Sequence, residues 1–280
     1  TLDLAATGLQ FTGFGIVAVS NIENITGSAF NDTLSGDGNA NILLGGDGLD
    51  TLVGGAGNDT LDGEAGNDLL NAGLGSDTII GGSGTNTLTY AGLGGGVIFD
   101  LAAGTTTDYQ GSIDTYSGIA TLIGSDSGNT VATSAGDDVF IGGLGNDTFI
   151  ASLGNDTFDG AAGSDTITYV NATGAVTLDL SVLTAQATGY GTITLTNVEN
   201  ITGSDYDDTL VGDAAANVLL GGLGNDTVSG GDGNDTMDGQ GGINTVTYAG
   251  GSTGIVTDMS VLDGAGYFMV AQGANSDRVK

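Results

Sequence analysis

The chain has 280 residues, of which 34 are acidic and two are basic, so its formal net charge at neutral pH is −32. Such a chain repels the phosphate backbone, which excludes nucleic acid as a main partner. It contains no cysteine and no histidine, which excludes disulfides and leaves oxygen atoms as the candidate metal ligands. With 55 glycines and few aromatic residues, this self-repulsion predicts disorder unless cations neutralise it.

The sequence also bears on membranes and export. No stretch approaches the roughly 18 consecutive apolar residues of a membrane span, so we expect no direct membrane insertion. The chain has no basic, apolar leader and begins with Thr1 inside a repeated segment. We therefore expect it to be a piece of a longer protein.

The first element, residues 1–26, is interpreted as the end of an interrupting β segment of a kind that recurs later. Residues 27–89 then form a run of seven nonapeptide repeats. Residues 45–53 have the sequence Gly-Gly-Asp-Gly-Leu-Asp-Thr-Leu-Val, a glycine-rich hexapeptide ending in aspartate and then a triplet with an apolar middle. The hexapeptide predicts a turn, and the triplet predicts a short strand.

Every repeat of this run has aspartate or asparagine at its sixth position: Asp32, Asn41, Asp50, Asp59, Asp68, Asp77 and Asn86. Glycine adopts positive φ without steric cost and lets main-chain carbonyls crowd around one point. The hexapeptide can therefore curl into a half-cage of oxygens that the aspartate closes with negative charge. Ca2+ takes six to eight oxygen ligands in flexible geometry, which is the ligand set that this loop offers.

These repeats resemble the nonapeptide repeats of the RTX, or hemolysin-type calcium-binding, family, whose pattern is Gly-Gly-x-Gly-x-Asp-x-apolar-x. The resemblance implies an all-β fold, a right-handed parallel β-roll or β-helix solenoid in which two nonapeptides form one coil. It also implies that each Ca2+ lies between loops stacked on adjacent coils. Type I secretion of the protein is a further implication.

The rest of the chain alternates between interruptions and runs of five repeats: an interruption at 90–123, a run at 124–168, an interruption at 169–202, a run at 203–247, and the start of another interruption at 248–280. The sixth positions of these runs are Asn129, Asp138, Asp147, Asp156, Asp165, Asp208, Asn217, Asp226, Asp235 and Asn244. The eighth position is apolar in all 17 repeats of the chain. A disordered glycine-rich linker would not keep that register.

The interruptions are themselves repeated, and each contains an aspartate in a matching segment: Asp3, Asp100, Asp179 and Asp258. The last two intervals between these aspartates are equal, and the first interval is longer by two nonapeptides. That difference is one whole coil of the implied roll, which favours one continuous solenoid. We expect β-rich interruptions that extend the roll through wider coils poor in calcium, with small separate β-sandwiches as the alternative. We interpret these aspartates as solvent-facing strand residues.

Loops that are two nonapeptides apart form the candidate calcium sites. Pairs of two carboxylates, expected to bind best, are Asp32 with Asp50, Asp50 with Asp68, Asp59 with Asp77, Asp138 with Asp156, Asp147 with Asp165, and Asp208 with Asp226. Pairs with one uncharged amide, expected to be weaker, are Asn41 with Asp59, Asp68 with Asn86, Asn129 with Asp147, Asn217 with Asp235, and Asp226 with Asn244. About 11 ions at most would bring the formal charge from −32 to about −10.

Several features have a purely structural alternative. Aspartate and asparagine favour metal-free turns, although the stacked carboxylates of repeats kept in register would repel one another if no cation paired with them. The Asn-x-Glu-Asn segments at 21–24 and 197–200 are interpreted as turns that end an interruption, with an added calcium ligand as the alternative. A tyrosine follows each run and is expected to cover the end of a packed stack: Tyr90, Tyr169 and Tyr248.

Two other activities are disfavoured. Threonine is frequent at the seventh position, as in ice-binding relatives, but the third loop position where they place an outward threonine holds Asp47, Ala56 and Leu74. No enzyme is expected, because histidine and cysteine are absent and the repeat accounts for the acidic residues.

Two functions remain. The first is a calcium-dependent extracellular structural or adhesive segment at the bacterial cell surface, as in an S-layer, a filament or a large adhesin, with copies of itself as candidate partners. The second is an RTX region that assists type I export and folding of a secreted enzyme or toxin whose catalytic part lies elsewhere. The tandem modules, each a run with its interruption, favour the first.

Overall fold

A computed structural model describes residues 1–6, 8–12, 15–248, 255–262, 268–272 and 275–280. All regular secondary structure in these residues is β-strand. They divide into two compact units, the first made of residues 1–130 and 138–145 and the second of residues 131–137 and 146–280. The all-β class predicted from the repeats is confirmed.

The strands are short, as expected from triplets separated by glycine-rich turns. Residues 1–145 contain β1 Leu2–Asp3, β2 Gln10–Thr12, β3 Gly15–Val17, β4 Asn24–Thr26, β5 Thr33–Ser35, β6 Ile42–Gly48, β7 Thr51–Ala56, β8 Thr60–Gly66, β9 Leu69–Leu74, β10 Thr78–Ile80, β11 Thr87–Thr89, β12 Ile98–Asp100, β13 Thr105–Thr107, β14 Ile113–Ser117, β15 Thr121–Ile123, β16 Thr130–Ala132 and β17 Val139–Gly143. The rest of the chain contains β18 Thr148–Ile150, β19 Asn155–Ala161, β20 Thr166–Thr168, β21 Thr177–Asp179, β22 Gln186–Ala187, β23 Thr192–Thr196, β24 Asn200–Thr202, β25 Thr209–Val211, β26 Val218–Leu220, β27 Thr227–Ser229, β28 Thr236–Asp238, β29 Thr245–Val246, β30 Ile255–Leu262, β31 Phe268–Gln272 and β32 Asn275–Val279.

Successive strands of a run alternate between two parallel sheets. In the first unit, β5, β7, β9 and β11 form one sheet, and β4, β6, β8 and β10 form the other. The register pairs Leu34 with Leu52 and Leu52 with Leu70, and in the other sheet Leu43 with Leu61. Partners are therefore two nonapeptides apart, which confirms the β-roll.

The eighth-position side chains form the core between the sheets. Neighbouring strand residues point to opposite faces, so only the middle residue of each triplet points inward. These side chains are buried in sixteen of the 17 repeats, whereas Val246 in the outermost strand β29 is partly exposed. Burial of each such side chain contributes about 1.5–3 kcal/mol. Repetition of one short triplet therefore builds the core of each unit.

The last two strands of the first and second interruptions pair with strands of the preceding run. In the first unit, β14 lies parallel to β10 with Tyr116 opposite Ile79, and β15 lies parallel to β11. In the second unit, β23 and β24 lie parallel to β19 and β20 in the same manner. This pairing supports the interpretation of the interruptions as wider coils. In the first interruption β12, β13 and β14 are antiparallel neighbours, of which β14 joins β10. In the last interruption β30, β31 and β32 are antiparallel neighbours in the same manner, and β32 joins β28.

Tyr90 and Tyr169, which follow the first two runs, enter the core, whereas Tyr248 is partly exposed. Tyr90 and Tyr169 are each 1% exposed, and the Tyr90 ring meets the edge of Phe99 with ring centroids 5.5 Å apart. In the second run, Phe149 and Phe158 stack at 4.7 Å. Aromatic residues thus fill the core where a run passes into an interruption.

Candidate metal centre

The glycine-rich loops lie directly on one another. Gly57, at the fourth position of its repeat, has a φ of +118°, and a Cβ added there would lie 2.6 Å from the carbonyl oxygen of Asn39, in the loop one coil earlier. Only glycine combines this backbone conformation with so close an approach. The loops therefore stack with the period of the strands, which brings their sixth-position side chains into columns.

Within each column, the main-chain N–H of one sixth residue donates to a side-chain oxygen of the sixth residue one coil later. The Asp59 N–H, for example, lies 2.7 Å from Oδ1 of Asp77. Every predicted pair whose members lie within one compact unit makes this contact. The pairs Asn129 with Asp147 and Asp138 with Asp156 join residues of the two units and stay predictions.

The second carboxylate oxygen of several of these aspartates is buried without a hydrogen-bond donor. This is the case for Oδ2 of Asp50, Asp59, Asp68, Asp77, Asp165, Asp226 and Asp235. Each of these residues is at most 2% exposed. A buried charged oxygen without a partner is strongly unfavourable, and native proteins pair such charges or coordinate metals with them. The columns therefore fit a cation.

The unpartnered oxygen faces another oxygen. A Cβ added to Gly54 would lie 2.5 Å from Oδ2 of Asp59 and 2.5 Å from the carbonyl oxygen of Ala72, so both oxygens border one small space. The same arrangement recurs at Gly45, with Asp50 and Gly63. Two acceptors that face each other without a proton between them are what a Ca2+ site requires. Among the described residues, no three acidic side chains converge, so main-chain carbonyls must complete the ligand set.

Burial raises the pKa of these carboxyls. Desolvation is the main cause for Asp50, Asp59, Asp68 and Asp226, and the main-chain N–H that each accepts opposes it. Burial, together with neighbouring carboxylates, raises the pKa of Asp77 and of Asp235 to about 7 and that of Asp165 to about 6. A bound divalent cation would offset the free-energy cost of burying a charged carboxylate, because it favours the charged form.

Two aspartates that were predicted to belong to the strongest pairs have a different environment. Oδ2 of Asp32 accepts hydrogen bonds from the main-chain N–H and the hydroxyl of Ser28, at 2.7 and 2.8 Å. Asp208 and Ser204 make the same contacts. The loop that starts each of these runs is therefore closed by serine, and its carboxylate needs a cation less than those further along the run.

The asparagines close their loops with amide hydrogen bonds. The Asn86 side-chain nitrogen donates to the carbonyl of Gly118 at 3.0 Å, and that of Asn217 donates to the carbonyl of Glu199 at 2.8 Å. Asn41, Asn129 and Asn244 also donate to main-chain carbonyls. At Asn86, Asn129 and Asn244 an N–H stands where the aspartates present Oδ2, so these loops fit a cation less well. Asn41 and Asn217 instead present Oδ1 there, opposite a carbonyl oxygen of the next coil, but an amide oxygen brings no charge.

Acidic residues of the interruptions continue the columns, and the two-nonapeptide register does not reveal them. The main-chain N–H groups of Asp77 and Asp235 donate to Oδ1 of Asp114 and Asp277, at 2.9 and 3.0 Å. Each of these acids stands two positions before a strand residue that pairs with a repeat, Tyr116 or Val279. An aspartate followed two positions later by an apolar residue is thus the signal that could have identified them.

Other acidic residues of the interruptions have local partners. Asp179 accepts hydrogen bonds from the N–H and hydroxyl of Ser181, and Asp3 and Asp100 each accept one main-chain N–H from their own turn. Asp100 is exposed, whereas Asp3 and Asp179 are partly buried. The side chain of Asp258 lies outside the described part of the chain.

A methyl group placed between the two facing oxygens tests the site. Gly54→Ala is expected to lower the number of bound Ca2+ ions by one and to destabilise the calcium-loaded protein by about 1–3 kcal/mol, because the new Cβ crowds Asp59 and Ala72. Gly38→Ala is the matched control: no atom lies within 4 Å of its added Cβ, and neither glycine has a positive φ. Calorimetric calcium titration and thermal unfolding measure both effects. An unchanged ion count in Gly54→Ala would contradict this assignment.

Comparison with known protein families agrees with this geometry. The sequence model of a family described as RTX calcium-binding nonapeptide repeat (4 copies) matches residues 18–52, 53–88, 115–149, 123–158, 133–167, 196–228 and 211–246. The matched ranges overlap all three runs and together span more than half of the chain. A search of curated proteins gave no match.

Proposed function

The chain belongs to the RTX calcium-binding nonapeptide repeat family, and from this premise we propose that it is an extracellular structural or adhesive segment that folds when it binds Ca2+ outside the cell. The repeats bind Ca2+, and together with the all-β fold they indicate a structural, non-catalytic protein. Proteins of this family are typically secreted. The described residues contain no helix with the length and apolarity needed to cross a membrane.

The unpartnered, buried carboxylate oxygens carry the proposal. We assign the strongest calcium binding to the aspartates that have them: Asp50, Asp59, Asp68, Asp77, Asp165, Asp226 and Asp235. Their Oδ1 atoms hold the loops in register through main-chain N–H groups, while their Oδ2 atoms and the facing carbonyls bind the ion. Bound Ca2+ supplies the positive charge that offsets both the local desolvation and the chain's −32. Fold and metal therefore form together.

The expected affinity supports an extracellular role. Calcium sites in extracellular modules bind at about 0.1–1 mM, a range that calcium outside cells reaches and cytosolic calcium does not. A chain with this net charge and so many glycines stays unfolded without cations. It would therefore remain unfolded during export and fold after it leaves the cell.

The modular organisation supports a spacer or surface layer rather than an export signal. The runs alternate with interruptions of similar length, and matching segments recur at a constant interval around Asp100, Asp179 and Asp258. Each compact unit contains at least one run and strands of an interruption that pair with it. Calcium would stiffen such a segment over its length, and further copies of the chain are its proposed partners in an array or filament.

Immunogold labelling of the producing bacterium tests the role. Antibodies against the chain are expected to label intact, unpermeabilised cells in millimolar calcium, and chelator is expected to strip or disorder the label. Magnesium at the same concentration is the control, because it requires stricter octahedral geometry and gives up its water reluctantly. Antigen found only in the medium, on a polypeptide with enzymatic activity, would replace this proposal with the export alternative.

A further inference from the structure

The corner that ends the second interruption replaces a whole calcium loop. In the runs, a glycine-rich hexapeptide links strands of the two sheets, but β23 and β24 are linked only by Asn197, Val198 and Glu199. These two strands pair with β19 and β20, so the corner lies over the loop that connects β19 to β20 and ends in Asp165. The corner thus occupies the place of the next loop in the column.

The side chain of Glu199 makes the contact that a sixth-position aspartate makes in the runs. The Asp165 N–H donates to Oε2 of Glu199 at 2.8 Å, as the Asp147 N–H donates to Oδ1 of Asp165 at 2.7 Å. The main-chain N–H groups of Glu199 and Asn200 both reach the Asp165 carbonyl. The additional methylene of glutamate lets a carboxylate reach this position from a corner shorter than a hexapeptide.

Asp165 presents an unpartnered oxygen to this corner. The residue is 0% exposed, and its Oδ2 has no hydrogen-bond partner. A Cβ added to Gly160 would meet both this Oδ2 and the carbonyl oxygen of Asn197, so the two oxygens face each other across one space. No donor joins them, and the repulsion requires a cation or a proton.

The first interruption supplies an internal comparison. Its corner, residues 118–120, lies over the loop that ends in Asn86, one module before the corner at 197–199. There the Asn86 side-chain nitrogen donates to the Gly118 carbonyl at 3.0 Å, and a Cβ added to Gly81 would meet these same two atoms. Ala120 takes the place of Glu199 and brings no carboxylate. One corner is therefore closed by an amide hydrogen bond, and the other presents only oxygens.

We propose that Glu199 and the Asn197 carbonyl complete the Ca2+ site of Asp165, which thereby joins a nonapeptide loop to an interruption instead of joining two nonapeptides. The inference rests on the proposed calcium-dependent function and adds a ligand outside the repeats. The Asn217 side-chain nitrogen donates to the Glu199 carbonyl at 2.8 Å, so the site also fixes the first coil of the third run. Within the second unit, this ion links two runs across the interruption between them.

Ion counting tests the site. Native mass spectrometry of the whole chain with calcium alone is expected to show one ion fewer in Glu199→Gln than in the unmodified protein. Asp100→Asn is the control, because it removes one charge from an exposed residue at the end of β12, and the amide oxygen of asparagine can still accept the hydrogen bond from the Ala103 N–H. An unchanged count in Glu199→Gln overturns the inference while the repeat sites remain filled. Absence of all bound calcium would instead overturn the proposed function.

A transplanted site keeps the test valid even if Glu199→Gln fails to fold. The double variant Asn86→Asp with Ala120→Glu installs both carboxylates at the first corner, where they are absent. It is expected to bind one ion more than the unmodified protein, with Ala120→Glu alone as the matched control. If the double variant binds no additional ion, the proposed ligand set is wrong.

Discussion

Removal of calcium at neutral pH is expected to unfold the chain. With chelator present, its circular dichroism should be that of a random coil, and millimolar calcium should restore the β signal. The reason is that the folded loops bury carboxylate oxygens such as those of Asp50, Asp59 and Asp68 without any donor, in a chain of formal charge −32. Without calcium, burial of the hydrophobic core alone would have to offset the electrostatic cost of these buried carboxylates and of the chain's net charge.

Magnesium at the same concentration separates ion binding from charge screening. It contributes the same charge and ionic strength, yet it prefers strict octahedral geometry and keeps its water. It is therefore expected to restore little β structure. A chelated protein with the same spectrum as the calcium-loaded one would contradict coupled folding and binding.

Low pH is expected to stabilise the folded chain in part when calcium is absent, because protons neutralise the buried carboxylates. In the folded chain, burial raises the pKa of Asp77 and Asp235 to about 7 and that of Asp165 to about 6, from an ordinary value of 3.8. Between pH 3.8 and about 7 the folded state binds more protons than the unfolded state. The free energy of unfolding of the metal-free protein therefore falls as pH rises through this range. The free-energy cost of burying these carboxylates in charged form is absent below the ordinary pKa and complete above about pH 7. Chelated protein should therefore gain β structure as pH falls from 7 towards 4.

The calcium-loaded protein should show the opposite response over the same pH range. Protons compete with Ca2+ for the same carboxylates, so the calcium concentration needed for folding should increase as pH falls. Circular dichroism at several calcium concentrations and pH values measures both responses. A chelated chain that becomes more structured as pH rises would contradict the assignment of the raised pKa values.

The repeat made most of the fold predictable. The triplet around Leu52 and its counterparts specify strand, inward face and register at once, because the side-chain period of a strand is two and the coil period is two nonapeptides. The loop aspartates were predictable for the same reason, since Gly57 and its equivalents permit only one close stacking of the loops. The repeat period therefore predicts more of this structure than any single residue does.

What escaped sequence reasoning depends on contacts outside the period. Serine at the second loop position, as in Ser28, closes the loop of Asp32, although the spacing of the aspartates gives no sign of it. Asp114 joins the column of Asp77 only because β14 pairs with β10 across an irregular connection. The hydroxyl of Tyr90 then satisfies the remaining oxygen of Asp114 at 2.6 Å. Such partners follow from tertiary pairing, which a fixed repeat length does not encode.

A crystal structure determined in millimolar calcium, with anomalous scattering to identify the ions, would show whether calcium lies between the loops. We expect a Ca2+ ion about 2.3–2.6 Å from Oδ2 of Asp59 and from the facing carbonyl oxygen of Ala72, with equivalent ions at the other unpartnered aspartates. Ordered protein in which Asp59 Oδ2 is held by a water or protein donor, with no ion between the loops, would contradict it.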